Sequence, residues 1–176
     1  MEYLRDYTMY MAIFGMFSFM WFGWAQEKPR KSWRLYIGIA SGIALVVCLV
    51  GVYLSIINWN EASALSDTSS FRSYLIFVII EFLLAGVGAF LMIRLKRSDY
   101  VAPWIALIVG IHFFWLKDVF KDSSLNILGI LLIAVVFISF WLSKKWSVAN
   151  SAITGIGAGT VLFCFAILGL SRYLAL

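Results

Sequence analysis

The chain reads as an all-α integral membrane protein, and three observations carry that fold class. Of its 176 residues, 63% are apolar and 13% are charged, against roughly 45–50% and 25% in soluble globular domains. A mean hydropathy of +0.94 demands more apolar burial than the interior of a 19.9 kDa chain provides. The apolar residues also gather into six runs near the ~20 residues that cross about 30 Å of hydrocarbon. This composition argues against a soluble enzyme, a disordered tail and a nucleic-acid module.

The runs cover residues 7–25, 35–57, 73–93, 101–116, 125–142 and 152–174, within one six-helix domain over residues 1–176. Lipid leaves the backbone two choices, helices or a closed barrel. Barrel strands alternate apolar and polar residues over ~10 positions, and runs such as IALVVCLVGVYLSII and LIFVIIEFLLAGVGAFLMI do not. Six helices are therefore expected. The first run is too long for a signal-peptide core and lacks a small-residue cleavage pattern, so it is kept as a mature helix. The fourth is the shortest, with Pro103 near its start and Gly110 inside it. The breaks EKPRKSWR, LKRSDY, KDVFKDSS and SKKWSV are compact. Only NWNEASALSDTSSFR is long enough for an amphipathic turn or small cap.

Orientation follows from the basic residues near the span ends. Lys28, Arg30, Lys31, Arg34, Arg94, Lys96, Arg97, Lys144 and Lys145 occupy the first, third and fifth breaks. On the opposite side, Arg5, Arg72, Lys117, Lys121 and Arg172 mix with Glu2, Asp6, Asp67, Asp118 and Asp122. Basic loops stay in the cytoplasm, which predicts a plasma-membrane protein with both termini outside. Odd halves of three helices would enter with opposite orientation. Gly15 aligned with Gly110, Phe19 with Phe114 and Gly38 with Gly129 is compatible with two inverted three-helix halves, a pattern found in transporters.

Cys48 and Cys164 lie inside apolar runs and read as small hydrophobes. One histidine and no cysteine cluster predict no metal site, and no cofactor is expected. Glu81 and His112 stand out, because ionisable groups at bilayer depth are costly and usually face the bundle interior. Counted from the span ends, Glu81 lies about 12 Å down and His112 about 6 Å down at the helical rise. Neighbouring antiparallel spans would let them meet. Three readings fit the pair: a structural hydrogen bond, a proton- or cation-responsive site, and polar anchors of a ligand pocket. Trp104 and Trp115 share His112's helical face and could line such a cavity, or sit in interfacial belts. Small residues at helical spacing mark packing seams: Gly38 and Gly42; Ala85 and Ala89, with Gly88 on the face of Glu81; Ser151, Gly155 and Gly159. These seams read as intramolecular first, with a homodimer second.

The segment GIHFFWLKDVF followed by LNILGILL resembles small multi-pass bacterial membrane proteins of uncharacterised activity. Those proteins carry a Gly-x-His-Phe signature before a lysine- or arginine-containing turn. The resemblance spans residues 109–135 and implies membrane residence in a bacterium. Those proteins often have proline after the aromatic pair, where this chain has Trp115 and Leu116. The substrate-binding subunits of energy-coupling vitamin transporters match in size and helix count. They differ in the orientation of the N-terminus and in an alanine-rich coupling surface on the first helix.

The expected function is binding or transport of a small solute across the plasma membrane, with Glu81 and His112 as the polar centre. The alternative is a non-transporting accessory, immunity or assembly protein that binds another membrane protein. A membrane enzyme is the least favoured reading, because Asp118 with Lys117 and Lys121 is too thin a catalytic set. The expected partners are the lipid bilayer, a small solute and a membrane protein or second copy, with no nucleic acid.

Overall fold

The computed structural model describes residues 3–175, and among them every regular element is helical. Glu2, counted above with the outer acids, lies outside the described residues. Six long helices form: α1 (Leu4–Trp24), α2 (Arg34–Ile57), α3 (Thr68–Arg94), α4 (Val101–Phe120), α5 (Ser124–Trp146) and α6 (Asn150–Leu174). Five of them, α2 to α6, are long and apolar enough to cross a membrane. Together they make this a membrane-embedded type of architecture. The fourth helix runs four residues past the expected end at 116, because Lys117 and Asp118 continue its last turn before Lys121 closes it at φ 50°. The long second break is tied down by a 3-10 turn over Ala64–Ser66, capped by the Ser63 side chain.

Helix α1 falls outside the five, yet it is the packing centre. It lies between α2 and α6, while α4 joins α3, α5 and α6. Burial and hydropathy therefore run in opposite senses. Asp6, Thr8 and Ser18 of α1 are fully buried, whereas none of the 27 residues of α3 is buried. Lipid solvates apolar side chains as well as a protein core does, so helices associate through close packing and polar bonds rather than hydrophobicity. An aromatic stripe supplies much of that packing. Tyr10 and Phe14 of α1 meet Phe120 and Phe113 of α4 edge-on at 5.8 Å each, and Phe14 meets Phe165 of α6 at 6.3 Å.

Small residues set how closely α1 is approached. On the α6 side, Gly155 lies under the Trp21 carbonyl, where a Cβ would come within 2.6 Å. Gly159 lies against the Phe22 ring, and Ser151 is buried. On the α2 side the close contacts fall at Gly51 against Met11 and at Cys48 against Gly15. They do not fall at Gly38 and Gly42. Gly38 has only the Gln26 side chain nearby, and Gly42 has nothing within 4 Å. The hidden face of α2 runs through Ile37, Ala44, Cys48, Gly51 and Ser55, which leaves 38 and 42 turned outward. The glycines aligned between the two halves make different contacts: Gly129 abuts Gly110 in space, whereas Gly15 abuts Cys48.

The α1–α2 contact yields a contrast that thermal unfolding in detergent can check. A Cβ at Gly51 would lie 2.7 Å from the Met11 carbonyl carbon, so Gly51→Ala must push two backbones apart. The expected loss is about 1–3 kcal/mol, the usual range for overpacking. Gly42→Ala should leave the melting temperature unchanged or raise it slightly, because alanine is the better helix former.

Candidate functional site

Helix α3 meets the bundle along one line on α4, and the candidate site lies on that line. The break after Arg94 is short, so the two helices run antiparallel. Asp67 starts α3 by accepting a hydrogen bond from the Ser70 backbone N–H at 2.9 Å. Tyr74 meets Phe120 edge-on at 6.2 Å, and one turn on Phe77 stacks on Trp115, with centroids 5.8 Å apart and planes 7° apart. One turn on, His112 Nε2 lies 3.4 Å from Glu81 Oε2. The imidazole also makes a backbone hydrogen bond with Phe77. Toward the other end, Trp104 Nε1 donates to the Leu84 carbonyl at 3.1 Å, and its ring lies over Gly88.

Glu81 occupies the middle of α3, with thirteen residues on either side. α3 begins at Thr68 rather than at 73 and α4 ends at Phe120 rather than at 116, so each residue lies farther from its helix end than the apolar runs imply. His112 is buried, and the Glu81 side chain is 19% exposed. A carboxylic acid and an imidazole sharing one proton carry no net charge, in either arrangement of that proton. Such a pair avoids the cost of about 2.5–3.5 kcal/mol for a lone charge at mid-bilayer. A second proton leaves an imidazolium without an anion, and loss of the first leaves a carboxylate without a cation.

The two tryptophans do not close a chamber around this pair. Trp115 is 49% exposed, and each indole clamps α3 to α4 on its own. Gly88 serves as the seat of the Trp104 ring, and Ala85 is half-buried on the same helix. Two cavities lie elsewhere. One is an apolar groove between α2, α5 and α6. The other is a polar hollow among Lys28, Asp99, Lys144 and Asn150. Among the described residues no group of three or more His, Cys, Asp or Glu side chains could hold a metal ion.

A second polar cluster, at the end of the bundle that carries both termini, was not foreseen. Ser63 Oγ donates to Asp6 Oδ1 at 2.6 Å, and the Ala64 N–H donates to Asp6 Oδ2 at 2.8 Å. Nearby, Arg172 Nη1 of α6 donates to Asp122 Oδ2 at 2.7 Å, and Ser124 donates to Asp122 Oδ1. Asp6 lies more than 50 residues from Ser63 and Ala64, and Asp122 lies 50 from Arg172, so neither local spacing nor periodicity relates them; only Ser124 is a local partner, two residues from Asp122. Burial alone would push the Asp122 carboxyl up. The Ser124 hydrogen bonds and the Arg172 guanidinium outweigh burial and hold it below its ordinary value of 3.8.

That depressed value fixes a sign. Asp122 contributes its stability above the unfolded value near 3.8 and loses it as pH falls through the lower folded value. Asp122→Asn should cost about 1.5–3 kcal/mol at neutral pH, the range for hydrogen bonds to a charged group. Melting curves should show the gap between Asp122→Asn and the parent narrowing as the pH is lowered from about 5 toward 2. A gap constant across that window would mean that the carboxylate charge contributes nothing. No family model, curated protein or solved structure matches this chain, so the reading of the site rests on its own residues.

Proposed function

We propose that the protein binds or moves a small solute across a bacterial plasma membrane, and that Glu81 and His112 form its proton-responsive centre. The carrying observation is the 3.4 Å pair between α3 and α4 at the midpoint of α3. Ionisable residues within membrane spans are costly to keep and mark ion and substrate pathways in membrane proteins. The surroundings of α3 support a moving role. It is held to α4 through Tyr74–Phe120, Phe77–Trp115, Glu81–His112 and Leu84–Trp104, and no residue of it is buried. Changing the protonation of Glu81–His112 alters one of the four links that hold this helix.

The threading proposed with this function has six spans, with α1 counted among them despite its polar residues, and both termini outside. Its support is the sorting of the loops. Asp6, Ser63, Asp122 and Arg172 gather at one end. At the other end the Ala149 N–H reaches the Lys28 carbonyl at 3.5 Å. The basic breaks thus share an end, as cytoplasmic loops do. An impermeant maleimide should label Ser69→Cys in intact cells, and Ser147→Cys only after lysis. The reverse pattern would invert the assignment.

A second reading has its own observation. The fully unburied α3 offers an apolar face that another membrane protein could cover, which suits an accessory, immunity or assembly protein. One set of measurements separates the two. The purified chain is melted with a panel of small cationic and amphipathic solutes between about pH 5 and 8, where imidazole groups titrate. Solute binding raises the melting temperature by mass action. On the leading reading at least one solute stabilises the protein in a pH-dependent way, and Glu81→Gln removes the pH dependence. Stabilisation that keeps its pH dependence in Glu81→Gln would overturn the proton role. A partner chain that co-purifies while no solute stabilises would favour the accessory reading.

A further inference from the structure

The groove between α2, α5 and α6 lies away from Glu81 and His112. It has a volume of about 540 Å3, within the ordinary range of ligand sites. Its walls are almost wholly apolar, with Ile37 and Ala40 from α2, Val135 and Ile138 from α5, and Ile156 and Gly157 from α6. Along α5 the lining runs from Val135 to Trp146, roughly 16 Å at the helical rise. That length is close to the ~15 Å depth of one leaflet, half of the hydrocarbon core. The groove therefore starts at the helix ends and stops near the bilayer middle.

Its mouth is built differently from its walls. Trp33 and Trp146 meet edge-on there, with centroids 5.4 Å apart. The Arg30 guanidinium rests over both rings, at 5.3 and 5.7 Å from their centroids. Among the described residues Arg30 makes no ion pair with a carboxylate. Lys31 and Arg34 follow it at the start of α2, and Lys144 and Lys145 close α5 beside Trp146. Indole rings favour the headgroup level, and a guanidinium matches a phosphate with paired donors. We propose that this groove holds one acyl chain of an anionic phospholipid, with Arg30 on the phosphate. The apolar channel sets the chain's length, and the unpaired basic mouth selects the charge of the head. Zwitterionic lipids fit the channel equally well but gain less from that mouth.

Native mass spectrometry of the full chain in detergent, with added phosphatidylglycerol or phosphatidylcholine, tests this directly. The expected result is one retained lipid per chain, with phosphatidylglycerol preferred. Arg30→Gln should cut the preference about fivefold, the factor for one basic residue beside an anionic headgroup. Ala40→Phe should reduce retention of both lipids by filling the channel, while Ile79→Phe on the outer face of α3 should change neither. Arg30 lies in a loop, so Arg30→Gln leaves the fold intact and keeps the test decisive even if Ala40→Phe misfolds. Equal retention of the two lipids by the parent chain, an unchanged preference in Arg30→Gln, or no retained lipid would each overturn the proposal.

Discussion

A helix that carries Asp6, Thr8 and Ser18 stays in a hydrocarbon environment only when its neighbours satisfy those polar atoms. In α1 every one of them has a partner. Asp6 takes hydrogen bonds from Ser63 and Ala64. Thr8 donates to the Arg5 carbonyl and accepts from Ser55 of α2. Ser18 donates to the Gly159 carbonyl of α6 at 2.8 Å. These bonds require the close approach that Gly51 and Gly159 permit, so small residues and polar satisfaction are two sides of one constraint. The rest of the bundle is arranged around the helix so protected.

Distance from α1 then orders the molecule. α2 and α6 touch it directly, α4 reaches it through aromatic rings, and α3 touches α4 beyond that. Burial does not fall evenly along that order, since α2 hides five residues and α4 eleven, but α3, which packs on α4, has no buried residue at all. The buried titratable pair lies at this loosest joint. A protonation change at a tightly packed joint would be absorbed by its surroundings. At the α3–α4 joint, three aromatic contacts, Tyr74–Phe120, Phe77–Trp115 and Trp104 on Gly88, are the main competing restraints.

Much of this was legible in the chain because membrane spans are long and their apolar runs unambiguous. The helices appeared near their expected places, and Glu81 and His112 drew attention through the cost of charge in oil. What escaped was the third dimension. Gly38 and Gly42 have the same four-residue spacing as Gly155 and Gly159, yet they face away from every helix, because spacing identifies a stripe without saying where it points. Trp104 and Trp115 share a side of α4 with His112, but each indole found a partner of its own on α3. Asp122 and Arg172 offered no local signal, since their bond closes across 50 residues of chain. Even α1 was read as one span among equals, because hydropathy measures affinity for lipid and not the number of protein neighbours.

The pairing of Ser18 with Gly159 also bears on how the chain is made. One partner emerges from the ribosome 141 residues before the other, a delay on the order of ten seconds at ordinary elongation rates. Throughout that interval the first helix lacks the neighbour that its close-packed face fits. Before α6 is made, the Ser18 hydroxyl has only its own helix to turn to, as Ser55 does with the Gly51 carbonyl, so the order of synthesis separates forming this helix from docking it.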